Sequence, residues 1–228
     1  MRNIIFAITT VLYKLLYIFN NSINIKCNIY RTRFALHKNN HIHLAGSQTS
    51  NTNISINGNN NELLSEGLIQ HTNITVIGNN NKIYFKKNSR IQRTTITVRA
   101  NNASVIIGEG SNILSATFIC QGNGNYIHIG DKCLFSANVE LWNSDTHTIY
   151  DSEGNIINHS KPITIGDHVW IGKHVKVLKG VTIGEHSVIG MCSLVTKDIP
   201  PSTINAGAPC KTIKDNITWG KELVDFNN

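Results

Sequence analysis

Between Leu141 and Ile165 the chain carries Asp145, His147, Asp151, Glu153 and His159 in an otherwise polar stretch. A neutral imidazole, with an ordinary pKa of ~6.5, can take a proton from a hydroxyl and hand one on to a leaving group. Asp145 or Asp151, which flank His147, could orient that ring by accepting the proton of its second nitrogen. Plainer readings stand beside these: a loop histidine in a chain with ten of them, and carboxylates that merely shape turns. Trp142, just before the stretch, offers a flat ring for a sugar face or for packing.

The elements that must hold these residues announce themselves by period. Six hexads run unbroken from Ile165 to Pro200, opened by Ile165, Ile171, Val177, Ile183, Ile189 and Val195. A six-residue period fits neither an α-helix nor an ordinary strand. It suits a triangular prism with three short faces per turn and one inward aliphatic residue per face. Ile129, Phe135 and Leu141 keep the same phase, so the interval 143–162 reads as a loop leaving the prism, where function tends to sit. Upstream, TNISINGNNN from Thr52 and TNITVIGNNN from Thr72 are near copies, and the theme returns from Thr94 and Thr117. Alternating pairs followed by a later aliphatic residue (Ile54/Ile56 then Leu63, Ile74/Val76 then Ile83, Ile96/Val98 then Val105, Phe118/Cys120 then Ile127) mark longer turns with Asn- and Gly-rich corners.

The expected organisation is an all-β solenoid over 46–200. A helix at 1–22 and a linker over 23–45 precede it, and a tail over 201–228 follows with one helical turn within 211–228. Hydrophobic content of 40% with aromatics at only 7% fits a core of stacked Ile and Val. A net charge of +7 favours anionic partners, but no basic run with interleaved aromatics occurs, which argues against nucleic acid. Five cysteines without a CxxC pair read as free thiols in a reducing cytoplasm. Ile4–Phe19 is apolar but shorter than the ~20 residues that span a bilayer, and no small-residue cleavage site follows it. It reads as a helix packing on the coil or a neighbouring subunit, with peripheral contact at the inner face of the cytoplasmic membrane as the alternative.

Five ordered blocks, SDTHTIYD (144–151), KPITIGDHVWIG (161–172), VLKGVTIG (177–184), VIGMCSLVTKDIPP (188–201) and AGAPCKTIK (206–214), resemble the hexapeptide-repeat acetyltransferases. The likeness is greatest to the branch that O-acetylates capsular, O-antigen and exopolysaccharide sugars. It implies a left-handed parallel β-helix, an exception to right-handed crossovers, and a homotrimer with acetyl-CoA between neighbouring subunits. It further implies direct acetyl transfer to a glycan hydroxyl, with His147 of the D-x-H motif as general base. An acidic, sialylated glycan would suit the positive charge.

By the same resemblance a backbone N–H around Trp170–Gly172 would hold the oxyanion, and Trp170 would lie near the thioester. Gly172 and Gly190 would admit the pantetheine arm, Ser193, Thr196 and Lys197 would line it, and Lys211, with Lys214 behind it, would meet the phosphates. Trp142 and Asp151 would face the acceptor. His168, His174 and His186 share one hexad position and would stack along one edge. The γ-type carbonic anhydrases bind zinc on such a prism, but through a His directly after the repeat Gly. Here each His lies two residues later, so no metal is expected. Cys192 has no basic partner in view and is not expected to act as a nucleophile. Acetylation of serine, a simple sugar or an antibiotic, N-acetylation of a nucleotide-linked amino sugar, and a structural β-helix with a decayed site are the alternatives.

Overall fold

Inward aliphatic residues separated by one strand and one tight corner wind the chain into a left-handed parallel β-helix of about eight turns. The computed structural model describes residues 21–222 and Val224. Equivalent strands of successive turns pair in parallel, making three flat faces. The first face begins at Ser22–Ile25, the second at Asn28–Tyr30 and the third at Arg33–Leu36. The first edge joins the first face to the second, the second edge joins the second to the third, and the third edge returns to the first.

One inward column on the third face runs Phe34, Ile54, Ile74, Ile96, Phe118, Leu141, Val177, Val195, each in register with the next. All but Phe34 are buried, and every fully buried aliphatic contributes about 1.5–3 kcal/mol. The six residues that open the hexads and the twelve in the upstream pairs are all buried as well.

Residues 23–45, expected as a linker, form the first turn and the opening strand of the second, His41–Leu44, instead. Ile23, Ile25, Ile29, Phe34 and Leu36 point inward but are only partly buried, because no described turn covers them from below. At the other end Lys211–Lys214 is a strand, not a helical turn. It pairs antiparallel with Ile204–Ala206 and covers the last exposed strand of the second face. The apolar segment 4–19 lies outside the described residues, and among those described no helix is long and apolar enough to cross a membrane.

The abundance of Asn has a structural cause at the third edge. Buried Asn40, Asn61 and Asn81 each accept the backbone N–H of the turn above (2.9 Å), while Asn60, Asn80 and Asn102 adopt left-handed φ of 55–57°. The loop departs from this edge. Ile129 pairs with Ile165, 36 positions on, whereas Ile165 pairs with Ile183, 18 positions on, so the loop absorbs one turn's length of chain without disturbing the phase. The three histidines do not share an edge. Three hexads complete a turn, so His168 and His186 meet on the first edge, 3.1 Å between Nδ1 atoms, while His174 falls on the second.

Candidate active site

The loop 143–162 is built from its base outward. Asn143 is buried, its side chain bonded to both the N–H (2.7 Å) and the carbonyl (3.0 Å) of Gln121 on the turn below. Thr146 then takes a φ of 65°, strained for a β-branched residue, and the kink lets the His147 N–H reach the Asp145 carbonyl at 2.8 Å. Beyond His147 the chain makes a small hairpin, with Ile157 N–H donating to the Ile149 carbonyl at 3.0 Å.

Asn158 ties the two arms together. Its amide donates to the His147 carbonyl (2.8 Å) and the Asp145 carboxylate (2.9 Å), and its side-chain oxygen accepts from Ile149 N–H (2.8 Å). Lys179, one turn above, donates to the same Asp145 carboxylate and to the Asn158 carbonyl. The Lys179 ammonium, assisted by Asn158 and opposed by partial burial, holds the Asp145 carboxyl below the usual carboxylate range. Asp145 thus braces the loop backbone and makes no hydrogen bond to the His147 ring. Asp151 is a turn residue: its carboxylate accepts the N–H groups of Glu153 and Asn155, both at 2.9 Å.

His147 is exposed and faces a cleft of about 460 Å³. Arg99, Gln121 and Gly122, at the third-edge ends of two strands, make one wall. The outgoing arm contributes Ser144, Thr146 and Thr148, and the returning arm Asn158, His159 and Ser160. Hydroxyls and amides dominate and no carboxylate lines the space, a surface suited to a polar, hydroxylated ligand. Arg99, Gln121, Asn158 and Lys179 carried no signal in the sequence. Gln121 and Lys179 meet their loop partners, Asn143 and Asp145, only through the stacking of turns.

The residues expected at the cofactor divide between two edges. Thr196 and Lys197 are exposed on the third edge, in register with Leu178 and Lys179 and so directly above the loop's root. Gly172, Gly190 and Lys211 lie on the second edge, across the third face. The glycines have a local reason to be glycine, since a Cβ on Gly172 would sit 2.7 Å from Met191 N and one on Gly190 2.9 Å from Ala206 Cβ. Ser193 is buried, its hydroxyl donating to the Gly190 carbonyl (2.7 Å) and accepting from Gly207 N–H (3.1 Å), so it is spent on the corner.

The N–H groups of Trp170 and Gly172 are likewise committed to the sheet, to Ser187 O at 2.9 Å and Ile189 O at 2.8 Å, which leaves neither for an oxyanion. Trp170 stands on the second face, 39% exposed and tilted against Trp219, and not beside His147 in the same chain. Trp142 points outward from the third face with its indole N–H on Glu140 (2.9 Å), outside the cleft lining. Among the described residues no group of three or more His, Cys, Asp or Glu gathers as metal ligands.

The family profile for bacterial transferase hexapeptides (six repeats) matches residues 162–197. The galactoside O-acetyltransferase of Escherichia coli K12 is 43% identical over 89 residues, 39% of this chain and 44% of that protein. The polysialic acid O-acetyltransferase of Escherichia coli O1:K1 is 43% identical over 96 residues, 42% of this chain and 31% of that protein. The matched segment therefore spans less than half of either relative. Among solved structures, the polySia-specific acetyltransferase NeuO superposes with a TM-score of 0.69 at 32% identity, covering 89% of this chain and 90% of that one. The polysialic acid O-acetyltransferase OatWY superposes with a TM-score of 0.64 at 28% identity over 91% of each chain.

Proposed function

The chain belongs to the hexapeptide-repeat acetyltransferases, and we propose that it moves the acetyl group of acetyl-CoA to a hydroxyl of a bacterial surface glycan or its precursor. The observation that carries this reading is His147, held by its backbone on both sides and open to a cleft lined with hydroxyls and amides.

In the proposed reaction a ring nitrogen of His147 takes the proton of the acceptor hydroxyl as its oxygen bonds to the thioester carbonyl carbon. The C–S bond then breaks, the electron pair leaves with sulfur, and the imidazolium returns the proton to give CoA thiol. No acyl-enzyme is needed. Asp145 acts as a positioning residue, through Lys179 and Asn158. Thr196 and Lys197 suit the cofactor arm along the third edge, and Lys211 suits its phosphates as a point charge.

The division of these residues between two edges supports a homotrimer in which one protomer's third edge meets its neighbour's second edge. In that assembly Trp170 and the oxyanion donor come from outside the protomer that supplies His147. The five free thiols, two of them buried, fit a cytoplasmic enzyme; burial pushes the Cys120 thiol up to about 12. A neutral simple sugar is the competing acceptor, favoured by the galactoside-acetylating relative.

The test is release of CoA thiol with a panel of glycans, with mass spectrometry of the products. His147→Ala should lose about 10²–10⁴-fold in kcat. A variant that keeps most of the wild-type rate would remove His147 as the base.

A further inference from the structure

We infer that Arg99 is the specificity-determining residue of the His147 cleft, and that it selects an acceptor sugar bearing a carboxylate. This rests on the acetyl-transfer reading for its setting but not for its test.

Arg99 ends the strand Thr95–Arg99 on the third face, and its neighbours in the same outward column are Ile77 below and Gln121 above. Gln121 is in turn bonded to Asn143, where the loop begins (2.7 Å). The guanidinium therefore starts two rungs, roughly 10 Å, below the root of the loop that carries His147, and both residues line one cleft. A cleft of about 460 Å³ lies within the range of small-molecule sites, about 300–1,000 Å³.

The charge balance inside the cleft is one-sided. Asp145, the carboxylate two positions before His147, is turned to Lys179 and Asn158. Arg99 forms no ion pair among the described residues. A guanidinium with no acid beside it, exposed on the wall of a site of neutral hydrogen-bonding groups, is free to pair with an anionic ligand. Its planar fork matches the two oxygens of a carboxylate, and only one cation lines the site, which favours a single negative charge over a polyphosphate. A neutral galactoside would leave that charge unpaired. The two kinds of acceptor named among the relatives are thus separated by one side chain.

Carboxylates on sugars come from sialic acids or uronic acids. The test measures initial rates and calorimetric binding of three ligands: a sialic acid oligomer, the same oligomer with its carboxylates reduced to alcohols, and a uronic acid oligomer. Arg99→Gln is expected to raise KM and Kd for the charged acceptor about 10- to 100-fold while kcat and the KM for acetyl-CoA stay within about threefold. Arg99→Lys should recover part of the loss, and the reduced oligomer should bind wild type and variant alike. The oligomer that wild type binds more tightly identifies the source.

Equal losses on the charged and reduced oligomers, or none on either, would overturn the inference, as would a wild type that binds only neutral sugars. Arg99-dependent binding without any thiol release would leave the inference standing and remove acetyl transfer. Transfer indifferent to Arg99 would do the reverse.

Discussion

Asn158→Ala should disable catalysis while leaving the coil intact. The side chain makes two hydrogen bonds to neutral backbone groups, Ile149 N–H and the His147 carbonyl, and one to the Asp145 carboxylate. A neutral bond contributes about 1 kcal/mol and one to a charged group about 1.5–3 kcal/mol. All three sit on an exposed loop where water replaces part of each, so the net loss falls near 2 kcal/mol. At about 1.4 kcal/mol per factor of ten, the closed loop becomes roughly 30-fold less favoured against its opened forms. A misplacement of about 1 Å can cost up to 10²-fold, so acceptor kcat/KM should fall about 10- to 100-fold. The bonds touch no core residue, and Tm should move by less than about 2 °C. Asn158→Asp, which keeps an acceptor for Ile149 N–H but sets a carboxylate against Asp145, should lose at least as much. Thiol release and thermal melts by circular dichroism report the two quantities. Activity within about threefold of wild type would refute the argument, and a collapse in Tm would mean that Asn158 holds the coil and not the base.

Gly172→Ala places a methyl 2.7 Å from Met191 N, backbone that cannot step aside, and should cost about 1–3 kcal/mol in melts without raising the KM for acetyl-CoA of the folded fraction. The His168–His186 contact should respond to pH. Burial first, then His186 and the charges of Lys221 and Lys132, hold His168 below the ordinary imidazole value. A lowered folded value means that the docking of Trp219, stacked on His168 at 4.2 Å, is fully supported above ~6.5 and lost as pH falls through that lowered value. Trp219 emission, read against Trp219→Phe, should change as pH falls below ~6.5, and His186→Ala should move the midpoint upward. Deleting Ser144–Lys161, one turn's length of chain, should leave a coil that melts as cooperatively as wild type and transfers nothing.

The inward columns were legible because a buried position in this prism tolerates little but Ile, Val, Leu or Phe at fixed spacing. The first turn was not, since Phe34, Ile29 and Ile23 share their stretch with outward Arg and His residues and are only partly buried. The His147 loop was legible as an interruption of a period, which locates an insertion without saying how it is held. What holds it comes from residues 13 and 34 positions from Asp145, Asn158 and Lys179, and among so many asparagines one pivot has no distinguishing composition. The expected oxyanion donors failed for a different reason. A motif read as residues conceals that the N–H groups of Trp170 and Gly172 already complete the sheet.

The position of the site on the prism follows from where chain length can vary. At the third edge, the step from the inward column of the third face to that of the first is nine positions in four successive turns: Ile54 to Leu63, Ile74 to Ile83, Ile96 to Val105, Phe118 to Ile127. At Leu141 to Ile163 it becomes 22, with the same pairing partners above and below. The asparagine ladders pair the backbone groups of this edge from turn to turn, and Asn143, accepting from Gln121 N–H on the turn below as Asn101 and Asn123 accept from theirs, does so at the base of the loop. Insertions there cost little in the core, because closure entropy grows only slowly with loop length. Arg99 and Gln121 point outward on the same edge and are equally uncoupled from the columns. The acceptor side can therefore change in length and charge while the strict hexads of 165–200 stay fixed. On this architecture the hexads fix the shape of the prism, and the third edge between Arg99 and Lys179 is the part free to vary in length and charge.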